Sequence, residues 1–111
     1  MVNRVTYLGE LEQMILWAVI RLDEDAYGMA IRDELERRTG RAASRGGVYV
    51  TLDRLVSKGY LSSRLGDGDE RRAGRRRRYF LLTEPGRVAL REARSALVNL
   101  WHGIESVVEE S

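Results

Sequence analysis

Between positions 71 and 78 this chain reads Arg-Arg-Ala-Gly-Arg-Arg-Arg-Arg, six arginines in eight residues with no acid among them. A solvated loop is ordinarily mixed in sign, because massed like charges repel. A genome's preference for arginine accounts for Arg over Lys, but not for the clustering. The run is bracketed by two strand-like segments. On one side Leu61, Ser63 and Leu65 alternate with Ser62 and Arg64, and on the other Tyr79 to Leu82 is an aromatic-aliphatic stretch. Gly66-Asp67-Gly68-Asp69 supplies turn chemistry. The segment therefore reads as a two-stranded hairpin whose loop is a concentrated positive charge.

The overall balance hides this. Net charge is +2, with residues 1–60 neutral, residues 61–94 at +5 and residues 95–111 at −3. Basic charge gathered in one segment is the usual footprint of a polyanion partner. The rest of the composition excludes other classes. With 111 residues, 43% of them apolar, there is material for one modest core. No cysteine is present, so disulfides, thiolate metal sites and a cysteine nucleophile are excluded. No apolar run approaches the roughly 20 residues of a membrane span, and the start lacks a signal-peptide layout. A cytoplasmic protein is expected.

Three helices are expected ahead of the hairpin. Leu8, Leu11, Ile15, Val19 and Leu22 recur at helical spacing, and Leu16 and Ile20 widen the stripe. Asp25 is a candidate N-cap for a second helix over 26–38, with Ile31 and Leu35 inward and Thr39-Gly40 as its stop. Ser44 is the expected N-cap of a third helix over 45–59, with Val48, Leu52, Leu55 and Val56 on one arc. Its far side carries Gly46, Gly47, Val50, Arg54, Ser57 and Lys58. Each glycine costs a helix about 1 kcal/mol relative to alanine, so two suggest close approach to a surface. An exposed valine suits the methyl group of a thymine in a major groove.

After the hairpin, Thr83 is a candidate N-cap with Glu84 and Pro85 in the first turn of a last helix reaching about 109. Leu90, Ala93, Leu97, Leu100, Ile104 and Val107 repeat as a heptad seam, flanked by Val98, Trp101 and Val108. A helix of that length is about 37 Å long, too long for so small a domain to cover. A second chain is the simplest cover. The expected interface takes Leu8, Leu11, Leu90, Leu97, Leu100, Trp101, Ile104, Val107 and Val108.

The fold class so defined is mainly α (α+β), a winged helix-turn-helix over residues 1–83 with a long dimerisation helix over 84–111. A helix enters the major groove while a loop of guanidinium groups lies on phosphates or in the minor groove. Arginine's planar fork suits both tasks better than lysine. No phosphate-binding glycine motif, nucleophile elbow or metal constellation is present, so an enzyme is not expected and no cofactor is implied. His102 has no ligating companions, and Asp67, Asp69 and Glu70 lack calcium-loop spacing. A winged-helix module that binds protein instead of DNA is the alternative, but such a wing has no need of massed arginine.

At this level of detail the chain resembles the PadR-like transcriptional regulators, the short subgroup with a single C-terminal helix. The resemblance covers about residues 7–90. It is carried by Leu8-Gly9-x-Leu11-Glu12, by Ala26-Tyr27-Gly28 followed by Ile31, and by Gly47-Val48-Tyr49-x-Thr51-Leu52-x-Arg54-Leu55. Lys58-Gly59-Tyr60-Leu61, Arg72-x-Gly74-Arg75-x-x-x-Tyr79 and Leu82-Thr83-x-x-Gly86 continue it in order. Ala73 stands where the family often has glycine, and Val50 where many members have proline. The resemblance implies a dimeric repressor that binds double-stranded DNA and releases its operator when a small molecule, often aromatic or otherwise hydrophobic, binds or when conditions change. It implies DNA contacts from Ser44, Tyr49, Thr51, Arg54 and Lys58 on the third helix and from Arg71, Arg72, Arg75 and Arg76 on the wing. Arg45, Gly47 and Val50 complete the expected set. Tyr49 lies between the core and exposed arcs, so its ring either packs with only the hydroxyl outward or faces the DNA. Tyr27 and Tyr79 are expected in the core. Trp17 and Trp101 either fill core and interface or line an aromatic effector pocket between subunits.

Overall fold

The computed structural model describes residues 7–66 and 76–109. Helix α1 (Glu10–Leu22) begins at Gly9, whose N–H donates to Glu12 Oε1 (2.8 Å). That is half of a capping box, the half that needs no side chain at the cap. It buries Ile15, Leu16, Ala18 and Val19. A single 3₁₀ turn (Asp23–Asp25) follows, then α2 (Gly28–Thr39) and α3 (Arg45–Ser57). Gly40 closes α2 in the left-handed conformation (φ 71°), as its position after Thr39 predicts. Ser44 caps α3, its hydroxyl accepting the Gly47 N–H (2.9 Å).

Asp25 is not the cap of α2; Tyr27 holds that position. The physical reason lies far along the chain. Ala26 and Tyr27 are taken up by strand β2 (Arg78–Leu82): the Phe80 N–H donates to Ala26 O (2.8 Å) and Tyr27 bridges Tyr79. An extended pair of residues cannot also be the first turn of a helix, so α2 starts two residues late.

Strand β1 (Leu61–Leu65) pairs antiparallel with β2 in the register Leu61↔Leu82, Ser63↔Phe80 and Leu65↔Arg78. Leu61 and Phe80 reach the core, whereas Leu65 does not: it is 61% exposed, because the hairpin has by then left the helices behind. The core lies between the three helices and the hairpin root. Its centre is Ile15, Leu16, Ile31, Val48, Leu52, Leu55 and Leu61, all fully buried. Residues 67–75, including Asp67, Asp69, Glu70, Arg71, Arg72, Ala73 and Arg75, lie outside the described residues.

Helix α4 (Glu84–Trp101) starts at Thr83, whose hydroxyl accepts the Gly86 N–H (3.1 Å) and donates to Gly59 O (2.6 Å). The cap thus also ties α4 to the turn after α3. The expected continuous helix to 109 is corrected. His102 turns extended, Gly103 takes φ 90°, and a short α5 (Glu105–Glu109) follows. Glycine is the residue that makes such a break cheap. The Cα radius of gyration is 16.2 Å, against about 13 Å for a compact chain of this size. The excess fits a helix that projects past its own domain.

Gly86 permits the close seating of α4. A Cβ there would collide with the Tyr60 carbonyl and crowd Leu82. Gly86→Ala is expected to cost about 1–3 kcal/mol as overpacking, and to lower Tm by roughly 5–15 °C in a thermal melt followed by circular dichroism.

Candidate nucleic-acid interface

The outward face of α3 carries Arg45, Gly46, Val50, Arg54, Ser57 and Lys58, all exposed, with Val50 at 57%. The two glycines have different reasons. Around Gly46 there is open space, so backbone is presented there without obstruction. At Gly47 a Cβ would sit 2.8 Å from Ser44 Oγ, so that glycine serves the cap.

Thr51 is placed inward, against the expectation that it faces DNA. It is 4% exposed and its hydroxyl donates to Gly47 O (2.7 Å), one turn back in the same helix. That back-bond satisfies the group and removes it from the surface. Tyr49 is half-buried, with its ring filling the space beside Gly28 where a Cβ would clash. The Arg45 guanidinium lies 5.9 Å from the centre of the same ring. Ser44 is exposed, but its hydroxyl is already occupied by the cap.

Lys58, the C-cap residue just past the end of α3, has its ammonium group held by Glu12. Its Nζ donates to Glu12 Oε2 (2.7 Å), a carboxylate that is itself buried. Burial pushes the Glu12 carboxyl upward. The Lys58 bond, the Gly9 N–H and the charges of Lys58 and Arg54 outweigh it, and the net shift is downward from the ordinary 4.5.

The wing root carries contacts that the pattern of residues did not reveal. Tyr27 and Tyr79 are half-buried rather than core, and meet edge to face with ring centres 5.8 Å apart. Arg77 lies over Tyr27 at 4.1 Å and Arg64 over Tyr79 at 4.7 Å, so two guanidinium groups enclose the aromatic pair. Arg78 reaches across to α3 and bonds Asp53 Oδ1 (2.6 Å). Arg76 is exposed. Sequence spacing could have hinted at this, since Arg64 pairs directly with Tyr79 once the hairpin register is known. A groove of about 350 Å³ lies between the wing root and the starts of α2 and α3, lined by Arg45, Arg76, Arg77 and Arg78. Tyr27, Gly28, Met29 and Tyr49 complete its wall.

The residues expected at a subunit interface divide into two groups. Leu8 and Leu90 belong to the chain's own core, and Leu11 is half-buried against it. Leu97, Leu100, Trp101, Ile104, Val107 and Val108 remain exposed, Leu100 by 76%. Trp17 is also partly exposed, lining a surface groove with Met14 and Leu97. Trp101 does not line that groove. Among the described residues no cluster of His, Asp or Glu could hold a metal ion.

A helix with an open polar face, braced against a hairpin with an arginine-lined root, defines a winged-helix DNA-binding module. The family model described as "Transcriptional regulator PadR-like family" matches residues 16–92, more than half the chain. The fold is similar to a PadR family transcription regulator from Clostridium difficile (TM-score 0.67, 24% identity, covering 92% of this chain and 97% of that one). It is similar to a PadR-like regulator from Bacillus cereus (TM-score 0.71, 21% identity, 91% and 93% covered). It is also similar to a PadR family regulator from Eggerthella lenta (TM-score 0.68, 26% identity, 92% and 88% covered). No curated protein matches the chain. The chain belongs to the PadR-like family of transcriptional regulators, DNA-binding proteins rather than enzymes.

The Glu12–Lys58 pair predicts a pH dependence of stability. A carboxyl lowered in the folded state contributes stability above its unfolded value of 4.5, and that contribution is lost as pH falls through the folded value. Glu12→Gln is expected to destabilise the protein at pH 7. The gap to wild type should begin to shrink near the unfolded value of 4.5 and close as pH falls on through the lower folded value, in urea melts run across pH.

Proposed function

We propose that this regulator is a homodimeric repressor working in the cytoplasm on a two-fold symmetric operator, with α3 in the major groove and the wing on the backbone or in the minor groove. One observation carries the DNA part of the reading. Arg45, at the start of the exposed face of α3, and the arginines of the wing root line the same groove, so one duplex can meet both. The wing contacts expected from Arg71, Arg72 and Arg75 belong to the same reading, at positions outside the described residues. Base readout falls to Val50 and Arg54, with Arg45 and Gly46 at the point of closest backbone approach.

The apolar residues left exposed on α4 and α5 support the dimer. Leu97, Leu100, Trp101, Ile104, Val107 and Val108 form an unpaired apolar surface beyond the subunit's own core, and a second copy is its natural cover. Repression asks only that the operator be occupied. Among the described residues no helix is long and apolar enough to cross a membrane, in keeping with this setting. An aromatic or hydrophobic effector fits between subunits, where Trp101 and the partly exposed Trp17 offer ring faces.

Selection of bound duplexes from random DNA is expected to yield an inverted repeat protected in footprinting. Arg54→Ala should change the preferred bases by about 1–3 kcal/mol of discrimination at its position. Recovery of no preferred sequence would refute the reading. Leu100→Glu is expected to halve the mass in sedimentation equilibrium and abolish operator binding. A planar hydrophobic compound should quench Trp101 fluorescence while lowering operator affinity; an unchanged response in Trp101→Ala would remove the effector pocket.

A further inference from the structure

We infer that the groove between the wing root and the starts of α2 and α3 seats one backbone phosphate of the duplex, with Arg77 as its principal ligand. The inference rests on the DNA-binding reading and gives a role to a residue that the run of arginines does not single out.

The groove's charge is one-sided. Among the described residues four arginines line it and no acid does. They are not equivalent. Arg78 is already paired with Asp53. Arg77 lies 4.1 Å from the centre of the Tyr27 ring and Arg45 5.9 Å from that of Tyr49, contacts that hold each guanidinium at the groove without using up its N–H donors. Arg77 Nε is buried with no hydrogen-bond partner among the described residues. A buried donor without an acceptor is costly in a folded protein, so a small shift of the half-buried Arg77 side chain that brings Nε to a phosphate oxygen is favoured.

The start of α2 points the same way. Tyr27 occupies the cap position and its side chain makes no capping bond. The first-turn N–H groups therefore lack the side-chain acceptor that Ser44 provides for α3 and Thr83 for α4. Gly28 and Met29, in that turn, line the groove. A phosphate is the usual guest where helix N–H groups and arginine converge. The guest is taken to be a duplex phosphate rather than a free anion, because the groove adjoins the exposed face of α3 that the duplex must follow.

The test is a double-mutant cycle between protein and DNA, using the full chain, a duplex selected from random DNA and an unrelated duplex. Single methylphosphonate replacements neutralise one phosphate at a time. Arg77→Met should weaken both duplexes by the same factor, about tenfold, and lower the salt slope by about one. Arg77→Lys should recover part of the loss. In wild type, one neutralised phosphate per half-site should cost a similar factor, and in Arg77→Met that same replacement should cost nothing more. Arg76→Met, at an exposed side chain, keeps the Tyr27 stack and should couple to the same phosphate. Independent, additive losses at every phosphate in both variants would overturn the inference. So would saturable binding of inorganic phosphate, seen by NMR, that the duplex fails to displace. A wild-type protein that binds no duplex would instead refute the DNA reading itself.

Discussion

One backbone pairing holds the functional parts in register. The Phe80 N–H bonds Ala26 O at 2.8 Å, and Tyr27 bridges Tyr79 beside it. Strand β2 is thereby joined on one edge to β1 and on the other to the residues that lead into α2. The wing root is built into the helix-turn-helix rather than resting against it. Delaying α2 by two residues is the cost, and the uncapped start of that helix is the result. The same pairing sets Tyr27 against Tyr79, and so sets where Arg77 and Arg64 can stack.

Glycines make this junction possible at two points. At Gly28 the ring of Tyr49 occupies the space of a Cβ, and at Gly66 the ring of Tyr79 does so. The Gly66 N–H also donates to Arg77 O (2.7 Å), closing the hairpin where the described part of the wing ends. In both places a tyrosine packs on bare backbone and an arginine lies near the tyrosine. Aromatic rings thus position charge at the edge of a core too small to hold it.

What was legible in the sequence follows from how local each signal is. Ser44 and Thr83 act on their own N–H groups three residues away, so their capping roles could be read directly. Asp25 had the same local claim and lost it to Phe80, more than fifty residues on, which no local pattern contains. The wheel put Val50 and Arg54 correctly on the open face of α3, but it could not show Thr51 bonding back to Gly47. The heptad seam was real as a pattern and misleading as a helix. Leu90 serves the chain's own core, Leu97 and Leu100 stay exposed, and Gly103 ends the rod before Ile104. Arg77 was hidden among its neighbours, since six arginines in a row of eight look alike until a ring is placed beneath one of them.

The fate of Lys58 bears on how such a module would read DNA. A lysine at the end of α3 would ordinarily be counted as a phosphate contact. Here its ammonium group neutralises Glu12, a buried carboxylate that also holds the Gly9 N–H at the start of α1. Freeing Lys58 for a phosphate would leave that carboxylate buried without its cation, a penalty larger than one exposed phosphate contact returns. The C-terminal end of α3 is therefore committed to the fold. On the proposed reading, sequence discrimination is left to the span from Arg45 to Arg54. Its first residue, Arg45, lines the arginine groove, so the anchoring of the backbone and the reading of bases would share one short stretch of duplex.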